Sequence, residues 1–235
     1  MTRSLNKLFT LTLLASLSAI STQALADGGS NTGTFVSEQS TASGESINLV
    51  LPIQSGAHDY FAGSANITVG TTSSNGTSFL AYCIDPFQWA SSTPTAYTLS
   101  SLSSLGSSQA SDVTRLYSQS YASTGGNNAN SAAFQLALWE LANDDGVLTS
   151  GAVRTTSSTN ASIVAAANNM ISNAKTGAAG SSNYSFNLYT NSNQQDFLVA
   201  SVSSVSPVPE PNTYALMIAG LGLIGFTASR RRTSN

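Results

Sequence analysis

The stretch Ser78-Phe79-Leu80-Ala81-Tyr82-Cys83-Ile84, followed by Asp85-Pro86, contains the single cysteine of this 235-residue chain. Its apolar content predicts a β-strand, preceded by a polar turn that includes Asn75-Gly76. Alternation along a strand puts Cys83 on one face and Tyr82 on the other. Asp85-Pro86 should end the strand, because proline cannot donate a hydrogen bond to a sheet ladder. We therefore predict that Cys83 lies at the end of a strand.

A second stretch, Phe134-Gln135-Leu136-Ala137-Leu138-Trp139-Glu140, lies in a predicted helix over residues 131–142, with Asn130 or Ser131 as its N-cap. Gln135 and Trp139 are four positions apart and share one helical face. A carboxamide on an apolar face is costly to bury without partners, so Gln135 should be held against another surface. A glutamine that bonds a neighbouring backbone group would also explain this position.

The two stretches together supply a thiol and a carboxamide that could react. A thiolate that attacks the side-chain amide carbon of a glutamine expels ammonia and leaves an internal thioester. A lone cysteine is most often a small buried hydrophobic residue, so neither stretch would indicate this chemistry alone.

The pair of motifs resembles the thioester domain of bacterial surface adhesins, in the order of elements over residues 34–206. The resemblance implies that Cys83 and Gln135 form a thioester. It also implies that a nucleophile on a surface or matrix partner, typically a lysine amine, opens the thioester and becomes attached to Gln135. No cofactor or metal is implied.

Four neighbouring residues are candidates for supporting roles. Tyr82 and Trp139 flank the reacting pair and could shield a thioester from water. Asp85 and Glu140 could relay a proton, although we expect Glu140 to be a solvated surface acid. Each molecule would acylate one partner once, so we expect a reactive binder and not an enzyme.

The first 26 residues have the pattern of a secretory signal peptide. Arg3 and Lys7 precede an apolar run over residues 8–20, and Ala24-Leu25-Ala26 is a small-x-small cleavage site. We expect the mature chain to begin at Asp27.

The other end has three parts: Pro209-Glu210-Pro211, an apolar segment over residues 214–228, and Arg230-Arg231-Arg232. This arrangement resembles the PEP-CTERM sorting signal. The resemblance implies processing by an exosortase in a Gram-negative bacterium that makes exopolysaccharide and biofilm. It also implies transient anchoring in the inner membrane by a transmembrane helix, and a final location in the envelope or outside the cell. A plain membrane anchor is the alternative, but such an anchor has no need of Pro-Glu-Pro. A helix over residues 214–228 would be roughly 22 Å long, which is short of the ~30 Å of bilayer hydrocarbon, so flanking residues would have to help it span.

Charge and cysteine content exclude several classes of function. Ten of the 11 acidic residues but only three of the 8 basic ones lie in residues 27–209, giving that segment a net charge of −7. Nucleic acid would be repelled by such a surface. One cysteine excludes an intramolecular disulfide, and the single histidine excludes a multi-histidine zinc site. We find no phosphate-binding loop or dinucleotide motif.

The order of predicted elements indicates an α+β domain over residues 27–206. A sandwich-like sheet region would contain an inserted three-helix subdomain with helices over 112–121, 131–142 and 160–174. A signal peptide (1–26) and a sorting and anchor segment (207–235) would flank it.

Two other functions remain open at this level. The chain could be a structural or extracellular-matrix protein in which Cys83 is inert and only the tail matters. It could also be a hydrolase that pairs Cys83 with His58, the only histidine.

Overall fold

The computed structural model describes residues 34–72, 75–177 and 182–203, together with Met217, Ala219 and Leu221. The predicted signal peptide, the Pro-Glu-Pro motif and the basic cluster lie outside these residues, and so does nearly all of the predicted anchor. Among the residues described, no helix combines the length and apolarity needed to cross a bilayer.

One antiparallel sheet organises the domain, with strand order β2-β3-β7-β6-β4-β1-β5. β1 pairs with β4 and also with β2, so the sheet closes on itself. The strands are β1 (Thr34–Val50), β2 (Ala57–Thr72), β3 (Asn75–Cys83), β4 (Thr95–Ser100), β5 (Arg154–Thr155), β6 (Tyr184–Thr190) and β7 (Phe197–Val202).

The closed sheet has an apolar interior of its own. A small cluster takes residues from each of the six strands of the ring and none from a helix: Val36, Ile67, Ala81, Tyr97, Tyr189, Phe197 and Val199. The larger core lies between the opposite face of the sheet and the helices. Cys83 packs against both clusters, which places it at their boundary.

Three helices are inserted between β4 and β6: α1 (Ser107–Ser120), α2 (Asn128–Asn143) and α3 (Ala161–Thr176). α2 is central, because it packs on both other helices and on β1, β2 and β3. Every residue from Ser131 to Ala142 is buried, as expected for a helix that is apolar on all sides. The coarse prediction of a mixed fold, with a large sheet and three inserted helices, is confirmed.

Side-chain caps set where two of these helices begin. The Asn127 side chain accepts a hydrogen bond from the Asn130 backbone N–H at 2.9 Å, and Asn160 caps α3 through the Ser162 N–H at 3.0 Å. Such caps satisfy N–H groups that have no partner inside a helix. Because Asn127 is the cap, α2 begins three residues before our predicted start.

Three parts of the sheet differ from the sequence-based expectation. The apolar residues of the segments 34–36 and 46–53 predict two strands, but one long β1 (Thr34–Val50) takes their place, interrupted by irregularities after Glu38 and after Thr41. β4 and β5 were not predicted, because short Ser- and Thr-rich segments lack apolar alternation. The strands form one continuous sheet and not two facing sheets.

β1 and β2 approach each other very closely at one point. Gly44 pairs with Gly63, and a Cβ atom on either glycine would collide with the backbone of the other strand. Gly63 also has φ of 153°, which disfavours other residues. The two glycines therefore permit the close approach of the strands beside the irregularity that follows Thr41.

Candidate functional site

Cys83 is the last residue of β3, and one side of its backbone has no strand beside it. On the β7 side, Cys83 is opposite Phe197, and the Ile84 N–H donates to the Asp196 carbonyl at 2.9 Å. On the other side, the pairing of β2 with β3 stops at Ser64 and Tyr82. Successive residues of a strand direct their backbone N–H and C=O groups to opposite sides, so those of Cys83 face this unpaired side.

The Gln135 side chain fills that position. The Cys83 N–H donates to Gln135 Oε1 at 3.0 Å, and Gln135 Nε2 donates to the Cys83 carbonyl at 2.6 Å. These are the two bonds that a residue of a neighbouring strand would make. They fix the orientation of the amide, since an N–H must face a carbonyl at both positions. Gln135 is fully buried, and its carboxamide is held against the end of β3. Both hydrogen bonds are to backbone atoms, as the alternative of a glutamine that bonds a neighbouring backbone group also expects.

The two hydrogen bonds hold the carboxamide where an attack on its carbon would be assisted. The amide carbon lies between the two bonded atoms, against the residue that carries the thiol. When a nucleophile attacks this carbon, negative charge develops on Oε1, which already accepts the Cys83 N–H. A donor placed at such an oxygen stabilises the transition state. The arrangement therefore positions the carbon and polarises its carbonyl group.

The thiol itself is held in its protonated form. Burial raises the pKa of Cys83 well above its ordinary value of 9.0, and the negative charges of Glu38 and Asp85 raise it further. A thiol becomes a strong nucleophile only as the thiolate. Reaction in this environment requires a group that takes the proton as the sulfur attacks.

A cavity of about 220 Å³ opens beside Cys83. Aromatic side chains form much of its wall: Tyr60, Phe61, Trp89 and Trp139. Glu38 and Asp59 are the acidic residues that line it. The cavity gives a second molecule a route to the cysteine.

The two aromatic residues predicted as shields have different positions. Trp139 is buried and lines the cavity beside Cys83. Tyr82 does not line it but points into the helical core, where its hydroxyl is 2.7 Å from Ser131 Oγ and its ring centroid is 4.8 Å from that of Phe134. Tyr82 therefore links β3 to α2 and stabilises the strand that carries Cys83.

Asp85 shapes the backbone at the end of β3. Its Oδ1 accepts the Phe87 N–H at 2.8 Å, which forms the turn that ends the strand. Its charge contributes to the raised pKa of Cys83.

The expectation that Glu140 is a solvated surface acid is wrong. Glu140 is fully buried, and its Oε1 accepts the backbone N–H groups of Gly146 at 2.9 Å and Val147 at 2.7 Å. Burial raises its pKa to about 7, although these hydrogen bonds oppose the shift. Glu140 does not line the cavity. Its contacts organise the loop after α2.

His58 is not among the residues that line the cavity. Its Nε2 lies 2.8 Å from the Ser55 carbonyl oxygen, and its ring packs edge-on against Tyr60. The hypothesis of a Cys83–His58 hydrolase gains no support from this placement.

Sequence reasoning missed Glu38, which lines the cavity from β1. Its carboxyl group has its pKa raised from 4.5 by burial. The backbone here leaves the regular β1–β2 ladder, and the Glu38 N–H donates to the Ser91 carbonyl at 2.8 Å. No local pattern in the sequence marks the irregularity that brings this residue to the cavity.

Comparison with known protein families agrees with the site. Residues 80–176, which include both Cys83 and Gln135, match the thioester domain, and residues 207–232 match the PEP-CTERM protein-sorting motif. The chain carries a thioester domain and a PEP-CTERM sorting motif. The sorting motif indicates export and association with the envelope or cell surface, and it implies processing by exosortase-type machinery.

Two solved structures are similar to parts of this chain at low identity. The N-terminal thioester domain of a surface protein from Clostridium perfringens is 18% identical, with a TM-score of 0.41, over 57% of this chain and 87% of that one. The N-terminal domain of the Streptococcus pyogenes pilus tip adhesin Cpa is 12% identical, with a TM-score of 0.43, over 75% and 96% of the two chains. No curated protein matches the chain.

Proposed function

We propose that Cys83 and Gln135 form an internal thioester, and that this exported protein uses it to attach covalently to a primary amine, such as a lysine side chain, on a surface or matrix partner. The paired hydrogen bonds between the Gln135 carboxamide and the Cys83 backbone carry this proposal. They hold the two reacting residues together before any bond forms, which gives the reaction the orientation advantage of an intramolecular step.

Bond formation exchanges one amide for one thioester. The Cys83 sulfur attacks the Gln135 side-chain carbon, the carbon–nitrogen bond breaks, and the nitrogen leaves as ammonia with the proton that the thiol gives up. Oε1 keeps its hydrogen bond from the Cys83 N–H while it carries the developing charge.

Attachment to a partner reverses the roles of sulfur and nitrogen. An amine attacks the thioester carbon, the carbon–sulfur bond breaks, and the sulfur recovers a proton as a thiol. The partner is then joined to Gln135 through an amide. Since nothing regenerates the thioester, the protein reacts once and is not an enzyme.

The sorting motif bears on where in the cell this reaction would take place. We propose that the signal peptide (1–26) directs export and that the tail (207–235) anchors the chain until an exosortase acts near Pro209-Glu210-Pro211. The reactive domain would then face molecules at the cell surface. Such a location provides nucleophilic partners and suits an adhesin.

The intact mass of the mature protein tests the proposal. Wild type should be lighter than its sequence by one ammonia, whereas Cys83→Ala and Gln135→Ala should each show the full mass of their own sequences. Wild type of full mass with a titratable thiol would overturn the proposal.

One observation favours a second function, a structural matrix protein with an inert thiol. The raised pKa of Cys83 disfavours the thiolate at neutral pH. In that case Cys83→Ala would leave sorting and surface retention unchanged, and only the tail would matter.

A further inference from the structure

The polar groups of the cavity beside Cys83 suit a cationic ligand. Its charged side chains are the carboxylates of Glu38 and Asp59, and no lysine, arginine or histidine lines it. Gln88 also lines it, and within the described chain its buried Oε1 has no hydrogen-bond partner. An acceptor without a donor is costly to bury, so a donor-bearing ligand would satisfy it.

Aromatic rings add to this preference at the cavity wall. Tyr60 and Trp89 stack with ring centroids 6.1 Å apart and planes inclined by 27°. Trp89 remains 59% exposed. Exposing a large apolar ring to water is unfavourable, so a ligand that covers the ring would be stabilised there. A cation over the face of an aromatic ring is attracted to it, and most strongly to tryptophan.

We propose that Glu38, Gln88 and the Tyr60–Trp89 stack bind the ammonium group of the incoming lysine side chain, and that Glu38 takes the proton that this ammonium must lose. The inference rests on the proposed thioester and names the residues that select and activate the amine. A lysine is protonated at neutral pH, with an ordinary pKa near 10.4, and an ammonium has no lone pair with which to attack.

Glu38 is better placed for this role than the other acid of the cavity. Its carboxylate has no hydrogen-bond partner among the described residues, whereas Asp59 is exposed and already accepts a bond from Asn48 Nδ2 at 2.7 Å. Burial raises the pKa of Glu38, which makes it a stronger base than a solvated carboxylate.

The groups around Glu38 are acidic or neutral on every side. Asp59 and Tyr60 face the cavity from β2 and Cys83 faces it from β3. On β4, the charge of Glu38 contributes to the raised pKa of Tyr97. His58 is the basic residue of β2 and does not line the cavity, so no lysine, arginine or histidine of the cavity wall competes with an incoming ammonium for the carboxylate.

Attack by the lysine amine involves three proton transfers. Glu38 takes one proton from the ammonium, and the resulting amine attacks the Gln135 side-chain carbon. The carbon–sulfur bond breaks, and Glu38 returns its proton to the departing Cys83 sulfur. The nitrogen releases its second proton to solvent as the amide forms.

The first experiment separates recognition from reaction. In Cys83→Ala, which cannot form a thioester, binding of Nα-acetyl-lysine amide is followed through the fluorescence of Trp89 and Trp139, both of which line the cavity. The lysine probe should bind more tightly than the uncharged Nα-acetyl-norleucine amide, and adding Glu38→Gln should remove the difference. Equal binding of the two probes, or an unchanged difference after Glu38→Gln, would overturn the inference whether or not wild type contains a thioester.

The second experiment measures reaction with the same lysine probe by intact mass across pH 6–9. At pH 7, Glu38→Gln that has lost ammonia should form the adduct about 100-fold more slowly than wild type. Its rate should rise more steeply with pH, because without the carboxylate only lysine that is already deprotonated in solution can react, and that fraction grows toward the lysine pKa near 10.4. Glu45→Gln on the same strand, which does not line the cavity, is the matched control. Glu38→Gln reacting at the wild-type rate refutes the inference, whereas wild type that never loses ammonia refutes the thioester itself.

Discussion

At the residue scale, the site depends on a side chain that makes the hydrogen bonds of a neighbouring strand. Gln135 makes the two hydrogen bonds that β2 would otherwise make to Cys83. The contact satisfies the backbone N–H and C=O of Cys83. Under the proposed function it would also hold the amide carbon beside the residue that carries the thiol. The structural role of Gln135 can therefore be measured separately from its reaction.

Gln135→Glu tests this double role. A carboxylate cannot donate to the Cys83 carbonyl, and it leaves a charge at a fully buried position. We expect no loss of ammonia, and a free energy of unfolding lower by about 2 kcal/mol relative to Cys83→Ala, in which no thioester forms either. Chemical denaturation and intact mass measure the two effects. Gln119→Glu, at an exposed position on α1, should change neither; an unchanged stability of Gln135→Glu would contradict the structural role.

Cys83 and Gln135 could be paired from the sequence because each lies in a recognisable motif. Glu140 was misjudged, because an acid at a helix C-terminus is usually solvated, and the loop N–H groups that bury it are not visible in the sequence. Glu38 carries no signal at all, since its place depends on an irregularity in β1.

At the element scale, α2 positions Gln135, and its start is fixed by one side chain. Asn127→Ala removes the acceptor for the Asn130 N–H and should lower the free energy of unfolding by about 1 kcal/mol. Asn127→Ser keeps an oxygen at this position and should retain most of that stability. Denaturant titration of the two variants measures the difference; equal stabilities would show that the cap contributes nothing.

The close approach of β1 and β2 yields a second prediction for the elements. Gly63→Ala combines an unfavourable φ with a collision against the Ser43 carbonyl. We expect it to lower the free energy of unfolding by more than about 2 kcal/mol. Gly56→Ala is the matched control, because Gly56 also has positive φ but its Cβ would meet nothing within 4 Å. Gly56→Ala should lower the free energy of unfolding by about 1 kcal/mol. Thermal unfolding that ranks the two variants equally would contradict the collision.

The helices and the long apolar strands could be predicted because their periodicity is clear over many residues. β4 and β5 could not, since they are short and polar and form only through pairing with distant strands. The closure of the sheet likewise depends on β1 pairing with two partners, and tertiary context decides that choice.

At the scale of the whole molecule, the buried Glu140 and the half-buried Asp196 make stability depend on pH. The pKa of Glu140 is raised to about 7 and that of Asp196 to about 6, mainly by burial in both cases. In this range the folded state holds these protons more tightly than the unfolded state. The contribution of these two acids to stability is therefore largest below their ordinary pKa values of 4.5 and 3.8, and it is lost as pH rises through the folded-state values.

We expect the contribution of Glu140 to reduce the free energy of unfolding by on the order of 2 kcal/mol between pH 5 and pH 8. Glu140→Gln should flatten the pH profile over this interval, because a glutamine cannot ionise. Denaturant unfolding at several pH values measures the profile, with Glu45→Gln as the control. A Glu140→Gln profile that runs parallel to wild type would contradict the prediction.

The adjacency of β7 and β3 has a mechanical consequence for a tethered protein. The chain leaves the sheet through β7 toward the sorting tail, and β7 is joined to β3 through the pairs Tyr82–Leu198 and Cys83–Phe197. Tension from an anchored tail would thus reach the sheet one strand away from the sulfur. A cross-link between Cys83 and Gln135 would pass that tension into α2, so the pulling force needed to unravel the domain should drop once a partner has opened the bond.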